Sequence, residues 1–253
     1  MMQVISTSML ESWSALYDEA LEHAPNGIYM SLGTFVFTVI MELWSLDTVK
    51  KMLHQPGAGY SLYVAAIVSN LRNHFLFGWP IYALAVPRFC RENHELDAVD
   101  RTGCILVILL AHSVVFYTVH RAFHSSPRLY RHHRFHHRFN VHVSPMAANA
   151  VSPIEYLVAY IMPFPAIMPF IRPDPISLRI SVAIIAFANI LVHTPKLDEL
   201  SLKYLPVWLV STHDHLDHHR KLNIKYAAPT INIDYFLERI DFDAWMGNKK
   251  SEA

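Results

Sequence analysis

CILVILLAHSVVFYTVHRAFH, residues Cys104 to His124, begins as an apolar run of membrane character and ends in two histidines four residues apart. An i, i+4 pair lies on one face of a helix, so His120 and His124 can share a metal ion there. Working outward, two further segments repeat one pattern, a histidine, two residues, then two adjacent histidines. They are His133-Arg-Phe-His136-His137, preceded by His132, and His215-Leu-Asp-His218-His219. On a helix, positions i, i+3 and i+4 are expected to converge on one side. Two, three and three imidazoles make eight, more than one ion takes and enough for two ions with four or five each. His193, at the end of a later apolar run, is a candidate ninth.

Composition bounds the rest. Over 253 residues, 53% are hydrophobic and 17% charged, with a mean hydropathy of +0.21. That is apolar for a soluble chain, though too polar for one made of spans alone. The formal charge is zero, which removes any general case for nucleic-acid binding. Cys90 and Cys104 are too few for a disulfide framework and lack metal-ligand spacing, so they read as buried fillers. The anomaly is the 17 histidines.

Ile28 to Leu46 carries one acid, Glu42, and is long enough to cross a bilayer core, which takes about 20 residues. No Lys or Arg precedes Lys50, so a cleavable signal peptide is not expected, and the positive-inside bias puts Lys50 and Lys51 in the cytosol. Leu10 to Leu21, with Glu11, Asp18, Glu19 and Glu22, reads as an interfacial or solvated helix. Tyr60 to Val86 is interrupted by Asn70, Arg72, Asn73 and His74; one long tilted helix is preferred over a broken pair. Arg88, Arg91 and Arg101 then lie on the far side, offset by Glu92, Glu95, Asp97 and Asp100. Tyr156 to His193 reads as a hairpin of two helices whose bend is marked by Pro163, Pro165, Pro169, Pro173 and Pro175. A hairpin returns the chain to the face it left, which places all three histidine boxes on one side. The expected architecture is all-α and integral to the membrane, with about four transmembrane helices and a cytosolic helical cap holding a histidine-cage dimetal site. Residues 1–253 form one domain: 1–27 an interfacial segment, 28–119 membrane helices, 120–155 the first two boxes, 156–193 the hairpin, 194–246 the third box and 247–253 a polar, frayed tail.

Plainer readings compete. A single histidine is usually an ordinary polar or core residue, and a His-rich tract can bind metal loosely at a surface. Arg121, Arg128, Arg131, Arg134 and Arg138 could form a basic face against anionic headgroups. That accounts for the arginines but not for one histidine spacing repeated at two places far apart in the chain. Imidazole suits iron, zinc, copper and nickel, while the absence of ligand cysteines argues against iron–sulfur and structural zinc sites.

The three boxes, in this order relative to the apolar segments, resemble the fatty acid hydroxylase/sterol desaturase superfamily, which includes sterol 4-methyl oxidases, sterol C5-desaturases, sphingolipid hydroxylases and cholesterol 25-hydroxylase. The resemblance runs from about Asn70 to Phe236. Phe116-Tyr-Thr-Val-His120-Arg resembles the aromatic lead into the first box, and Leu129-Tyr-Arg leads to the second. His218-His219-Arg-Lys-Leu-Asn223, through Tyr226 and Asn232 to Tyr235, is similar to the tail of the third. The resemblance implies that His120, His124, His133, His136, His137, His193, His215, His218 and His219 ligate two iron ions, with zinc a possible substitute. His132 and His213 would be outer-shell neighbours, and Asp214 and Asp217 candidates to orient ligand rings. Two departures stand out. Ser152-Pro-Ile-Glu155 replaces the family's His-Pro-x-Glu, leaving one ligand missing unless His142 substitutes, and Ser113 replaces an Asp before the first box.

The activity so implied is dioxygen-dependent hydroxylation of a C–H bond in a lipid, sterol or terpenoid-like substrate, in the endoplasmic reticulum membrane with the active site facing the cytosol. Desaturation or another oxidative outcome is the alternative. Electrons would come from NAD(P)H through a separate protein such as cytochrome b5 or its reductase, since the sequence has no Gly-rich nucleotide loop. Tyr117, Asn149, Asn189 and Tyr226 are candidates to position substrate or oxygen, with ordinary packing as the alternative. Rival functions are a zinc-dependent membrane hydrolase and a metal transporter or sensor.

Overall fold

The computed structural model describes residues 7–55, 59–91 and 96–240, with side chains from residue 14 onward. Glu92, Glu95 and the tail 247–253 lie outside the described residues. Among those described every regular element is a helix, apart from one isolated bridge between Leu209 and Ile231. Four stretches are long and apolar enough to cross a membrane: Ser14–Trp44, Ala98–Ser125, Pro153–Ile171 and Pro175–Val192.

The first of these belongs to helix α1, Thr7–Trp44, which runs through Pro25 without a break. The helix expected over Leu10 to Leu21, interfacial or solvated, is the N-terminal part of this one continuous helix. Its polarity is inverted relative to a soluble helix. Gly27, Ser31, Thr34, Thr38 and Glu42 are buried, while Leu32, Val36, Ile40 and Leu43 face outward. Small and polar residues inward with aliphatics outward is the pattern of helix packing in lipid, where outside solvation favours the apolar face. After α2, Leu46–Leu53, comes α3, Gly59–Arg72, which continues through a π-helical turn at Asn73–Gly78 into α4, Trp79–Phe89. This is the single long helix preferred from sequence, although it is not among the four membrane-length apolar stretches. α4 packs along α1, and Gly27 allows a close approach: a Cβ there would sit 2.8 Å from the Trp79 carbonyl oxygen.

The polar interruption in this helix has a structural purpose. Asn70 Nδ2 donates to the Met146 carbonyl (2.8 Å), Asn73 Nδ2 to Asn149 (3.0 Å) and Arg72 Nη2 to Val151 (2.7 Å). From α1, Glu42 accepts from the Met146 N–H (2.8 Å). The irregular segment Val143–Val151 is buried, and these side chains satisfy backbone groups that would otherwise be orphaned.

Helix α5, Ala98–Ser125, is followed by α6, Pro127–His133, with Ser126 between them. A short helix α7, Pro153–Glu155, runs through a second π-helical turn, Tyr156–Ile161, into α8, Pro163–Ile171. The expected proline-marked bend is narrower than the sequence suggests. Pro163 opens α8, and Pro165 and Pro169 lie within it; the reversal is confined to Arg172–Asp174. Arg172 there is left-handed, and Asp174 caps α9, Pro175–Val192, by accepting from the backbone of Ile176 and Ser177. Along α9, Ile176, Ile180, Ile184 and Phe187 make an outward apolar stripe. The chain closes with α10, Asp198–Tyr204, α11, Thr212–Lys221, and α12, Ile233–Leu237. The two π turns touch each other, and a Cβ on Gly78 would meet the Tyr156 hydroxyl at 2.9 Å.

Between α1, α4, α5, α8 and α9 lies a cavity of about 440 Å³, lined mostly by apolar side chains. Both π turns contribute to its wall, through His74 and Gly78 in one and Tyr156 and Tyr160 in the other.

Candidate metal centre

All nine histidines singled out from sequence come together, in two groups. His120, His124, His133, His137 and His218 form one; His136, His193, His215 and His219 form the other. Within each group the ligand atoms lie within 4.8 Å of one another, and every ring except the partly exposed His124 is buried.

This division corrects the expectation that each box converges as a unit. Successive residues on a helix are rotated by about 100°, so i and i+4 nearly eclipse while i+3 and i+4 diverge. On α11 the i, i+4 pair His215 and His219 stays together, and His218 goes to the other group. His133 and His137 likewise stay together while His136 crosses over. The adjacent histidines thus form a seam between two sites.

Local structure explains how each ring is presented. His120 and His124 occupy the last two turns of α5, His133 ends α6, and His136 and His137 sit on a 3₁₀ turn, His136–Arg138. His193 is the C-cap of α9. Ser211 caps α11 by accepting from the Asp214 N–H (3.0 Å). Leu222 and Lys225 then adopt the left-handed conformation that side chains other than glycine rarely take. The turn they make brings the Ile224 carbonyl to His218 Nδ1 (2.8 Å) and the Tyr226 carbonyl to His120 Nδ1 (2.8 Å). His193 Nδ1 donates to the Asn189 carbonyl (2.6 Å), and His133 Nδ1 to Glu155 Oε1 (2.6 Å).

These partners determine the tautomers. A carbonyl oxygen only accepts, so Nδ1 carries the proton and the neutral ring presents a bare lone pair at Nε2. His120 and His133 then aim lone pairs at each other across 3.1 Å, with His137 2.8 Å from His133 and 3.1 Å from His124. In the second group, His193 Nε2 lies 2.9 Å from His215, 3.3 Å from His219 and 3.4 Å from His136. With metal–nitrogen bonds of about 2.0–2.1 Å, ligands at octahedral or tetrahedral angles stand roughly 2.9–3.4 Å apart. The spacing fits a metal ion in each group, and a cation is what offsets converging lone pairs.

Electrostatics agrees. Burial first, then neighbouring imidazoles, holds His133, His136, His137, His215 and His219 well below the usual histidine value. Burial pushes His218 and His193 down to about 4. The rings are thus kept neutral and ready to coordinate.

The expected outer shell is corrected. Asp214 accepts from Lys225 (2.7 Å) and Ser211 Oγ (2.7 Å), and Asp217 from Lys221 (2.8 Å), so neither orients a ligand ring. His213 bonds Asp198 (3.0 Å), and His132 accepts from Arg131 (3.0 Å). The orienting groups are Glu155 and three backbone carbonyls. Glu155 was legible as an acid inside an apolar helix, which defaults to function; backbone carbonyls leave no mark in sequence. Ser152 caps α7, accepting from the Glu155 N–H (3.1 Å), and His142 belongs to neither group, so it does not substitute for the missing family ligand. Ser113 is bonded to Thr230 Oγ1 (2.9 Å). Tyr226 packs against the rings of His120, His124 and His218, and Tyr117 packs against Tyr226 and accepts from Arg121 (3.3 Å).

Two hollows neighbour the cage. Phe116, whose ring centroid is 5.3 Å from that of His120, and Asn189, whose carbonyl holds His193, both line the apolar cavity. On the other side a surface hollow of about 760 Å³ is lined by His137 together with Arg131, Arg134 and Arg138.

Comparison with curated proteins and with solved structures finds no match. The sequence profile described as fatty acid hydroxylase matches residues 105–238, more than half the chain and all nine caged histidines. With its membrane-length helices and buried histidine cage, the chain belongs to the fatty acid hydroxylase family, a family of oxidative membrane enzymes within the fatty acid hydroxylase/sterol desaturase superfamily.

Proposed function

We propose that this protein is a dioxygen-dependent diiron hydroxylase acting on a C–H bond of a lipid, sterol or terpenoid-like substrate. The observation that carries the reading is the pair of convergent groups, five and four imidazoles, set against an apolar cavity between membrane-length helices. A pair of iron ions, when bound, supplies reductive activation of dioxygen and oxidation of an unactivated C–H bond. The five-histidine group would hold one ion and the four-histidine group the other.

The chain's own residues supply the rest. Glu155 and the carbonyls of Asn189, Ile224 and Tyr226 fix the tautomer and angle of four ligand rings, which raises their basicity. Phe116, Phe164, Met168 and Val182 keep the approach from the membrane side dry and orient a hydrocarbon body. No side-chain nucleophile is required. The exposed Arg131, Arg134 and Arg138 line the second hollow, where an acidic face of a separate electron donor, such as cytochrome b5 or its reductase, would dock. Lys50 and Lys51, exposed on α2, support a cytosolic active site, with the endoplasmic reticulum as the membrane.

Desaturation at the same centre is the second reading, since the superfamily includes both outcomes. The deciding experiment supplies membranes containing the full chain with lipid extract, ferrous iron, a reductant and isotopic dioxygen. A hydroxylase places the label in its product, whereas a desaturase yields an unlabelled alkene. Turnover of a lipid with zinc as the only metal, without oxygen or reductant, would make the protein a hydrolase and overturn the assignment.

A further inference from the structure

The cavity wall contains polar groups that the metal cage does not use. His112 is 1% exposed, and neither ring nitrogen has a hydrogen-bond partner among the described residues. Its ring lies near two aromatic neighbours, 5.0 Å from Phe164 and 6.1 Å from Phe116 between centroids. Among the described residues His74 Nε2 and Asn149 Nδ2 are also buried without partners, and all three residues line the same cavity. A buried polar group left unpaired costs stability, and an ionisable side chain at membrane depth is retained for function by default. A hydrocarbon filling this cavity would leave all three unpaired.

The chemistry of these groups specifies what would pair them. Asn149 Nδ2 only donates, and a neutral imidazole offers one donor and one acceptor. An oxygen atom accepts from such donors, and a hydroxyl can also donate back. Arg88, the cation among the lining residues, is exposed rather than buried with them, so the buried subsite suits an uncharged oxygen. His112 and His120 lie on the same helix, eight residues apart, or about 12 Å along the axis at 1.5 Å per residue.

We propose that the cavity contains a recognition subsite for an uncharged hydroxyl or carbonyl already present on the lipid, with His112 as its principal contact. The lipid is anchored by that oxygen, and the C–H bond offered to the cage lies at a distance set by the spacing along α5. A step that installs or unmasks that oxygen, such as an oxygenation, a hydrolysis or a carbonyl reduction, must therefore precede this one. This inference rests on the cavity being the substrate site of the proposed oxidase. His112 is a positioning residue, not a metal ligand.

The test measures binding of matched probes to the metal-loaded full chain in nanodiscs: hexadecane against hexadecan-1-ol, cholestane against cholestanol, and farnesane against hexahydrofarnesol. In at least one pair the alcohol should bind roughly tenfold more tightly, as one hydrogen bond to a buried donor allows. His112→Phe should abolish that preference without changing metal content. No preference in any pair, or a preference intact in a folded His112→Phe, overturns the subsite. A second measurement needs no variant. The carbonyl counterpart of the preferred alcohol should show its C=O stretch at lower frequency when bound to the wild-type chain, and a band at the hydrocarbon-solvent position overturns the proposal. Labelled dioxygen separates the two levels. Incorporation with equal binding of alcohol and hydrocarbon removes the subsite alone, whereas an alcohol preference without oxygen-dependent turnover removes the oxidase reading alone.

Discussion

Behind the five-histidine group, three rings are held from outside, His133 by the Glu155 carboxylate, His120 by the Tyr226 carbonyl and His218 by the Ile224 carbonyl. Behind the four-histidine group, the Asn189 carbonyl holds His193, while Nδ1 of His215 and of His219 is buried without a partner among the described residues. The two groups share the same ligand chemistry but differ in outer support and in nearby negative charge. A carboxylate behind an imidazole raises its basicity and fixes its direction, so the two sites should differ in affinity even though their ligands are alike.

Removing a ligand from each group tests this asymmetry most severely. His218→Ala takes a ring from the first group and His136→Ala one from the second. Each should abolish turnover and lower the metal-to-protein ratio, measured by elemental analysis, from about two towards one. If either variant loses both ions together, the groups are one coupled site and the contrast fails.

Acid should act on both groups alike. His218 and His193, one from each, are held at about 4 against an ordinary 6.5. With the folded value below the unfolded one, the unfolded chain binds more protons between them. Stability of the metal-free protein is therefore complete above about pH 6.5 and declines as pH falls towards 4. A denaturation series on the apoprotein across that window checks this, and a profile flat from pH 7 to 4 would contradict it.

Glu155→Gln sharpens the contrast. It keeps an acceptor for His133 but removes the charge, so affinity at the five-histidine group or activity should fall about 10–100-fold. Metal titration should show one weakened site and one unchanged. The smallest effect is expected at Asp217→Ala. Its carboxylate is bridged to Lys221 and Lys225 rather than to a ring, so the cost should stay below about 1 kcal/mol, as for surface ion pairs, with metal content unaltered.

Much of this organisation is legible before any fold is known. The i, i+4 spacing of His120 with His124 and of His215 with His219 places those pairs on one helix face, because helical geometry is local. Glu155 could have been assigned on the same basis, as an acid within an apolar stretch. The interruption at Asn70, Arg72 and Asn73 was ambiguous because its partners, the carbonyls of Met146, Asn149 and Val151, lie more than seventy residues away. A polar residue that braces a distant loop looks, in sequence, like one that breaks a span. Asp214 and Asp217 show the opposite error: they neighbour the third box along the chain, but helical rotation turns them to Lys225.

The sequence by itself determined the residue types, the helical character and eight of the caged imidazoles, because periodicity and spacing act over a few residues; His193 was added by its place at the end of an apolar run and by the family resemblance. Only the tertiary structure decided how the nine divide. That division depends on where four separate segments meet and on the roughly 100° between adjacent side chains on a helix. The left-handed turn at Leu222 and Lys225, which aims two carbonyls at His218 and His120, was likewise invisible in sequence. Every residue has a carbonyl, and only packing determines which one points at a ligand.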